Sequence, residues 1–122
     1  MPERTPERTY EGSCHCGAVT FRVASALDAP FQCNCSRCRR LNAVMHAAPA
    51  SAFELLSGED VLKTYKFNHH VINHRFCTEC GIQSFSNGTD GKGNDMVVFN
   101  VHCLEGAEYD PAAITHFNGK DF

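Results

Sequence analysis

The chain contains no tryptophan, only three methionines and no long apolar run. No stretch approaches the roughly 20 consecutive apolar residues of a membrane-spanning helix, so no membrane partner is expected. Charge of one sign is also missing. The formal net charge is −3, with 20% of residues charged and 43% hydrophobic, the proportions of a globular protein. That balance argues against a nucleic acid or an anionic membrane surface as partner. Residues 1–9 repeat Pro-Glu-Arg-Thr twice and have no apolar core; they are expected to be a disordered tail, not a secretory signal. Helical periodicity is scarce as well, and no Ser–His–Asp or paired-carboxylate arrangement can be picked out.

Two further absences narrow the chemistry. No histidine is followed by glutamate two residues on, and Cys77 follows Phe76 and not proline, which excludes the zinc-deaminase signature. The Gly91-Lys92-Gly93 segment lacks the spacing and the Ser/Thr of a phosphate-binding loop.

Cysteine, by contrast, is abundant, with eight in 122 residues. In a secreted chain such a load would suggest disulfides. Here seven of the eight fall into tight clusters: Cys14 and Cys16 at CxC spacing, Cys33, Cys35 and Cys38 at CxC then CxxC spacing, and Cys77 and Cys80 at CxxC spacing. Thiols that close together favour chelating one ion over bridging to distant partners. With no export signal, the reading is a reduced, cytoplasmic metalloprotein, in which the Asn34-Cys-Ser36 and Asn87-Gly-Thr89 sequons are chance matches.

Cys33-Asn-Cys35-Ser-Arg-Cys38 is the stretch around which the chain is organised. Alternate residues of an extended segment face the same way, so Cys33 and Cys35 can reach one ion, and Cys38 follows at the spacing of a zinc knuckle. Three protein ligands and a vacancy describe a catalytic zinc; four describe a structural one. The preferred partition lets the two bidentate pairs, Cys14/Cys16 and Cys77/Cys80, close one structural site and leaves the triplet its own ion. Two Zn²⁺ ions per chain are then expected, one structural and one catalytic. The competing arrangement closes the triplet as well, with Cys103 or one of His46, His74 and His102 as fourth ligand. Arg37, Arg39 and Arg40 surround the triplet, either as a solvated face or as a clamp for carboxylates, which guanidinium geometry suits.

The remaining pattern is all-β. Val19, Phe21 and Val23 alternate with Thr20 and Arg22, as in a half-buried strand. Strands are expected over 31–35, 44–48, 71–76, 83–86 and 96–101, and about one helical turn over 37–41. Residues 53–56 and 61–67 flank Ser57-Gly-Glu-Asp60 and read as a hairpin, with His69-His70 as exposed decoration. Residues 87–95 read as an exposed loop, Asp110-Pro111 opens a final short segment, and Gly17 is expected to take a positive φ beside its knuckle. The folded domain is expected to span 10–122.

Taken together, Gly12-Ser-Cys14-His-Cys16-Gly17, Cys33-Asn-Cys35-Ser-Arg-Cys38 and Phe76-Cys77-Thr-Glu-Cys80-Gly81 resemble the glutathione-dependent formaldehyde-activating enzyme family, also called centromere-protein-V-like. Leu56-Ser-Gly-Glu-Asp60 with Tyr65, Asn100-Val-His-Cys-Leu104 and His116-Phe-Asn-Gly119 are similar too. The resemblance covers the chain from about Tyr10. It implies a zinc-stabilised β-tent of short antiparallel strands, as in a Rab-associated zinc protein. It also implies a structural zinc on Cys14, Cys16, Cys77 and Cys80 and a catalytic zinc on Cys33, Cys35 and Cys38. The implied activity is a carbon–sulfur lyase or synthase that joins glutathione and a small aldehyde, formaldehyde, as S-hydroxymethylglutathione. A non-catalytic thiol or aldehyde carrier and a zinc-stabilised interaction module are the rival readings.

Overall fold

Period-2 alternation dictates most of the architecture seen in the computed structural model, which describes residues 7–66, 72–89 and 92–117. β1 (Arg8–Ser13), β2 (Thr20–Ser25) and β5 (Phe53–Ser57) form a three-stranded antiparallel sheet with β2 in the middle. β1 takes in Arg8 and Thr9, two residues the sequence reading left to the tail. On β2 the alternation is literal: Phe21 and Val23 are fully buried while Arg22 faces solvent.

The second sheet has seven strands in the order β10-β3-β4-β9-β8-β7-β6: β3 (Phe31–Cys33), β4 (Met45–Pro49), β6 (Leu62–Tyr65), β7 (Asn73–Cys77), β8 (Phe85–Thr89), β9 (Asp95–Asn100) and β10 (Thr115–Phe117). Every pairing is antiparallel except that of β10, which runs parallel to β3. The described chain is therefore mostly strand. Its one α-helix, α1 (Ser36–Leu41), is the short turn expected after the triplet loop.

The two sheets share one core. Phe21 of β2 stacks on Phe53 at 5.2 Å between ring centroids, and Phe53 in turn meets Phe85 of the larger sheet at 4.8 Å. Val19, Val97, Phe99 and Val101 fill the space around them. Aromatic pairs in this arrangement add stabilisation beyond the area they bury.

Three local expectations are corrected. Residues 53–56 and 61–65 do not form a hairpin with one another: β5 joins β2 in one sheet and β6 joins β7 in the other. The chain changes sheets at Gly58, which has φ +97°; a Cβ there would lie 2.7 Å from Val19 Cα. Beyond it, Val61 O accepts Thr78 N–H at 2.9 Å, which ties the start of β6 to the segment after β7 and away from β5. The 87–95 segment is shorter as a loop than expected, because Thr89 pairs with Asp95 and the strands run on to those residues. The 31–35 strand ends at Cys33, where the chain turns toward α1. His69 and His70 lie outside the described residues. No helix among the described residues is long and apolar enough to cross a membrane.

Candidate metal centres

The two CxC/CxxC pairs, 61 residues apart in sequence, converge. Cys14 and Cys16 lie in the turn between β1 and β2, and Cys77 and Cys80 lie at the end of β7. Their four Sγ atoms lie within 4.8 Å of one another. Cys14 and Cys16 Sγ are 3.6 Å apart, and Cys16 and Cys77 Sγ 3.7 Å. A zinc–sulfur bond of about 2.3 Å gives a tetrahedron with edges of about 3.8 Å, so this spacing fits a four-thiolate ion site. Gly17 and Gly81 follow the two knuckles with φ +82° and +81°. This left-handed conformation lets the backbone curl back under the sulfurs, and a side chain there would strain it.

Backbone N–H groups point at the sulfurs. Val19 N–H donates to Cys14 Sγ at 3.3 Å, and the N–H groups of Ile82 and Cys16 hold the Cys80 thiol down to about 6. Cys16 goes the other way: although the Ala18 N–H favours its thiolate, desolvation and its Cys14, Cys77 and Cys80 neighbours push it up to about 12. Four thiolates crowded this closely repel one another, and a dication is the natural countercharge.

The triplet is assembled differently. Cys33 ends β3, Cys35 is the N-cap of α1, and Cys38 sits within that helix. Their Sγ atoms again lie within 4.8 Å of one another, and all three side chains are half-buried. Cys35 N–H donates to Cys33 Sγ at 3.4 Å, and Cys38 N–H to Cys35 Sγ at 3.3 Å. Burial opposes the Cys35 thiolate, yet the N–H and thiol of Cys38 outweigh it and lower its pKa; burial and the Cys35 and Cys33 charges raise that of Cys38. The donor set and spacing fit a metal with three protein ligands. Among the described residues, no fourth Cys, His, Asp or Glu donor joins this group.

The proposed fourth ligands lie elsewhere. Cys103 closes a 3-10 turn, Val101–Cys103, where burial raises its pKa and the charges of Cys14 and Cys80 raise it further, which places it near the four-cysteine group but outside it. His46 is buried, accepting Ala29 N–H on Nε2 at 3.1 Å and donating from Nδ1 to Ala47 O at 2.8 Å. His102 bonds the Tyr109 hydroxyl at 2.7 Å. His74 is buried on β7. None of the eight cysteines forms a disulfide.

The three arginines separate. Arg39 lines a cleft of about 300 Å³ together with Gln32, Cys33, Cys38, Asn42 and His116. Arg37 and Arg40 face a second groove beside Tyr65, where the Arg37 guanidinium lies 4.8 Å over the Tyr65 ring and binds Gln83 Oε1. Arg40 donates to Ser36 O at 2.7 Å. The part of the cleft that single residues did not reveal is its far wall. β10 brings His116 and Phe117 alongside Gln32 and Cys33, and Asn34 N–H donates to Phe117 O at 3.1 Å. The His116-Phe-Asn-Gly119 ending carried a signal of family, but none of place.

The model of the glutathione-dependent formaldehyde-activating enzyme family matches residues 9–119. The chain belongs to this family. A protein of Halomonas elongata, named only as a candidate glutathione-dependent formaldehyde-activating enzyme, is 64% identical over 31 residues; the match covers 25% of this chain and 20% of that protein. This chain thus spans about a fifth of that relative's length. A crystal structure of a Rhodobacter sphaeroides protein superposes with a TM-score of 0.76 at 29% identity, covering 88% of this chain and 99% of that one.

Proposed function

We propose that this family member is a zinc-dependent carbon–sulfur lyase that adds glutathione to formaldehyde and also catalyses the reverse cleavage. The observation that carries the reading is the three-thiol group with no fourth protein donor among the described residues, opening on a cleft of about 300 Å³. Cys33, Cys35 and Cys38 would hold the catalytic zinc, and Cys14, Cys16, Cys77 and Cys80 a structural one that ties the β1–β2 turn to the end of β7. When bound at the triplet, zinc supplies the positive charge that keeps an incoming thiol ionised near neutral pH. Three cysteine thiolates leave that centre with a net charge of about −1, which suits a thiol better than the water activation done by histidine-bound zinc.

The chain's own groups bind and orient. Arg39 on the cleft wall offers a carboxylate of glutathione a paired, charge-assisted contact. Holding sulfur and aldehyde carbon in one cleft replaces a bimolecular encounter. The thiol gives up its proton, its sulfur pair forms the bond to the aldehyde carbon, and the carbonyl pair moves to oxygen, which takes a proton. Thiol and aldehyde thereby give the hydroxymethyl thioether with no oxidant or reductant. A reduced compartment such as the cytoplasm, where free thiols persist, suits this chemistry.

Exchange spectroscopy with ¹³C-formaldehyde and glutathione tests the reading. The zinc-loaded protein should raise the exchange rate well above the spontaneous one, and Cys35→Ser should return it to background. Binding of glutathione without any gain in exchange would mean a carrier instead.

A further inference from the structure

α1 is too short to stand by itself. It has six residues, none of them buried, and isolated helices of such length do not persist in water. Yet it carries Cys38 and is capped by Cys35, so its position sets the shape of the triplet. Gln32 of β3 holds its C-terminal end, donating from Nε2 to Asn42 Oδ1 at 3.3 Å; Arg37 anchors the helix itself to the far side of the larger sheet. Both Nε, at 3.2 Å, and the terminal NH2 nitrogen of Arg37 donate to Gln83 Oε1, while the guanidinium lies over Tyr65 of β6.

Gln83 is itself fixed from two sides. It follows Ile82, whose carbonyl accepts the Cys77 N–H at 3.0 Å, and its own carbonyl accepts Asn100 Nδ2 at 3.3 Å. It therefore stands three residues beyond Cys80, on the segment that leaves the four-cysteine knuckle. An arginine whose flat fork is taken up by an amide and an aromatic face is built as a strut.

We infer that Arg37 and Gln83 are positioning residues: they lock α1 to the segment after the four-cysteine knuckle and so hold the triplet in its metal-binding shape. The assignment separates the arginines by task, Arg37 bracing the site and Arg39 facing its cleft. It rests on the reading that the triplet binds metal, but the strut itself can be read without that.

Two measurements on the metal-loaded protein test it. The first is amide exchange in α1, where Arg39 N–H donates to Cys35 O at 2.9 Å and Asn42 N–H to Cys38 O at 2.8 Å. Gln83→Ala and Arg37→Ala should each speed exchange of these two amides by about tenfold, the loss of one charge-assisted contact, while amides of β2 stay unchanged. Gln83→Glu, which keeps the acceptor, should restore slow exchange, and Arg37→Lys, which loses the fork, should not. The second is metal release to a chelator: the triplet ion should leave about tenfold faster in Gln83→Ala, with the four-cysteine ion unaffected. Unchanged α1 exchange in both alanine variants would overturn the strut. So would weaker glutathione binding by Arg37→Ala with unaltered exchange and release, which would make Arg37 a ligand contact. A Cys35→Ser variant with the same metal content as the unsubstituted protein would instead defeat the triplet as a metal site, and the exchange arm would still judge the strut.

Discussion

Cys35 does two things at once: its thiol caps α1 by accepting Cys38 N–H and stands within the triplet. Substitution by serine keeps a capping oxygen but removes a soft ligand. Cys35→Ser is therefore expected to give a folded protein that has lost about one metal equivalent, whereas Cys80→Ser breaks the closed site that joins distant strands and should cost much of the fold. Metal analysis with circular dichroism distinguishes them; equal loss of structure in the two variants would contradict the division of labour. Cys103, beside the four-cysteine group but outside it, should tolerate alanine with full metal content and a stability cost of about 1–3 kcal/mol, read by denaturant titration. His74 supplies a pH signature. Burial, then the Arg37 charge, pushes its pKa down to about 4, below the 6.5 or so of an unfolded chain. Its contribution to stability is complete above pH 6.5 and is lost as pH falls toward 4. Unfolding free energy measured at pH 7 and 4.5 should drop more in wild type than in His74→Gln, by about 1–2 kcal/mol; parallel drops would contradict the assignment.

Among the elements, β2 shows how far a sequence pattern reaches. Its alternation placed Phe21 and Val23 inside and Arg22 outside, because one face of a paired strand must be buried and the period is two. The cysteine pairs were legible for a similar reason: chelate spacing is local, and the long-range partition follows from zinc's demand for four ligands. What was not legible is non-local and carries no such constraint. Nothing in residues 53–65 says that β5 pairs with β2 and β6 with β7; those partners lie outside that stretch of sequence. Nothing in Thr115–Phe117 says that these residues lie parallel to β3, and with them His116 joins the cleft. The three arginines look equivalent in sequence, yet α1 turns Arg39 to one groove and Arg37 and Arg40 to another. Phe21 is the element-level test of the core: it is fully buried and stacks on Phe53, so Phe21→Ala should cost about 3–5 kcal/mol in denaturant titration while leaving the cysteine spacing intact.

At the scale of the whole molecule, two sheets with a modest shared core are joined by four clustered cysteines that could hold a metal ion, and the three-cysteine group lies where a cleft opens. Under the proposed function the first set would add stability that core size alone would not, and the second would carry the chemistry. Catalysis of the proposed kind requires that an ion at the triplet keep a position for an external thiol. The most direct measurement replaces zinc with cobalt and follows the thiolate-to-metal absorption as ligand is added. Glutathione should strengthen that band and release a proton, S-methylglutathione should do neither, and Cys35→Ser should not respond. A band indifferent to glutathione and to every smaller thiol would mean that the protein itself fills the fourth position, and the catalytic reading would be contradicted.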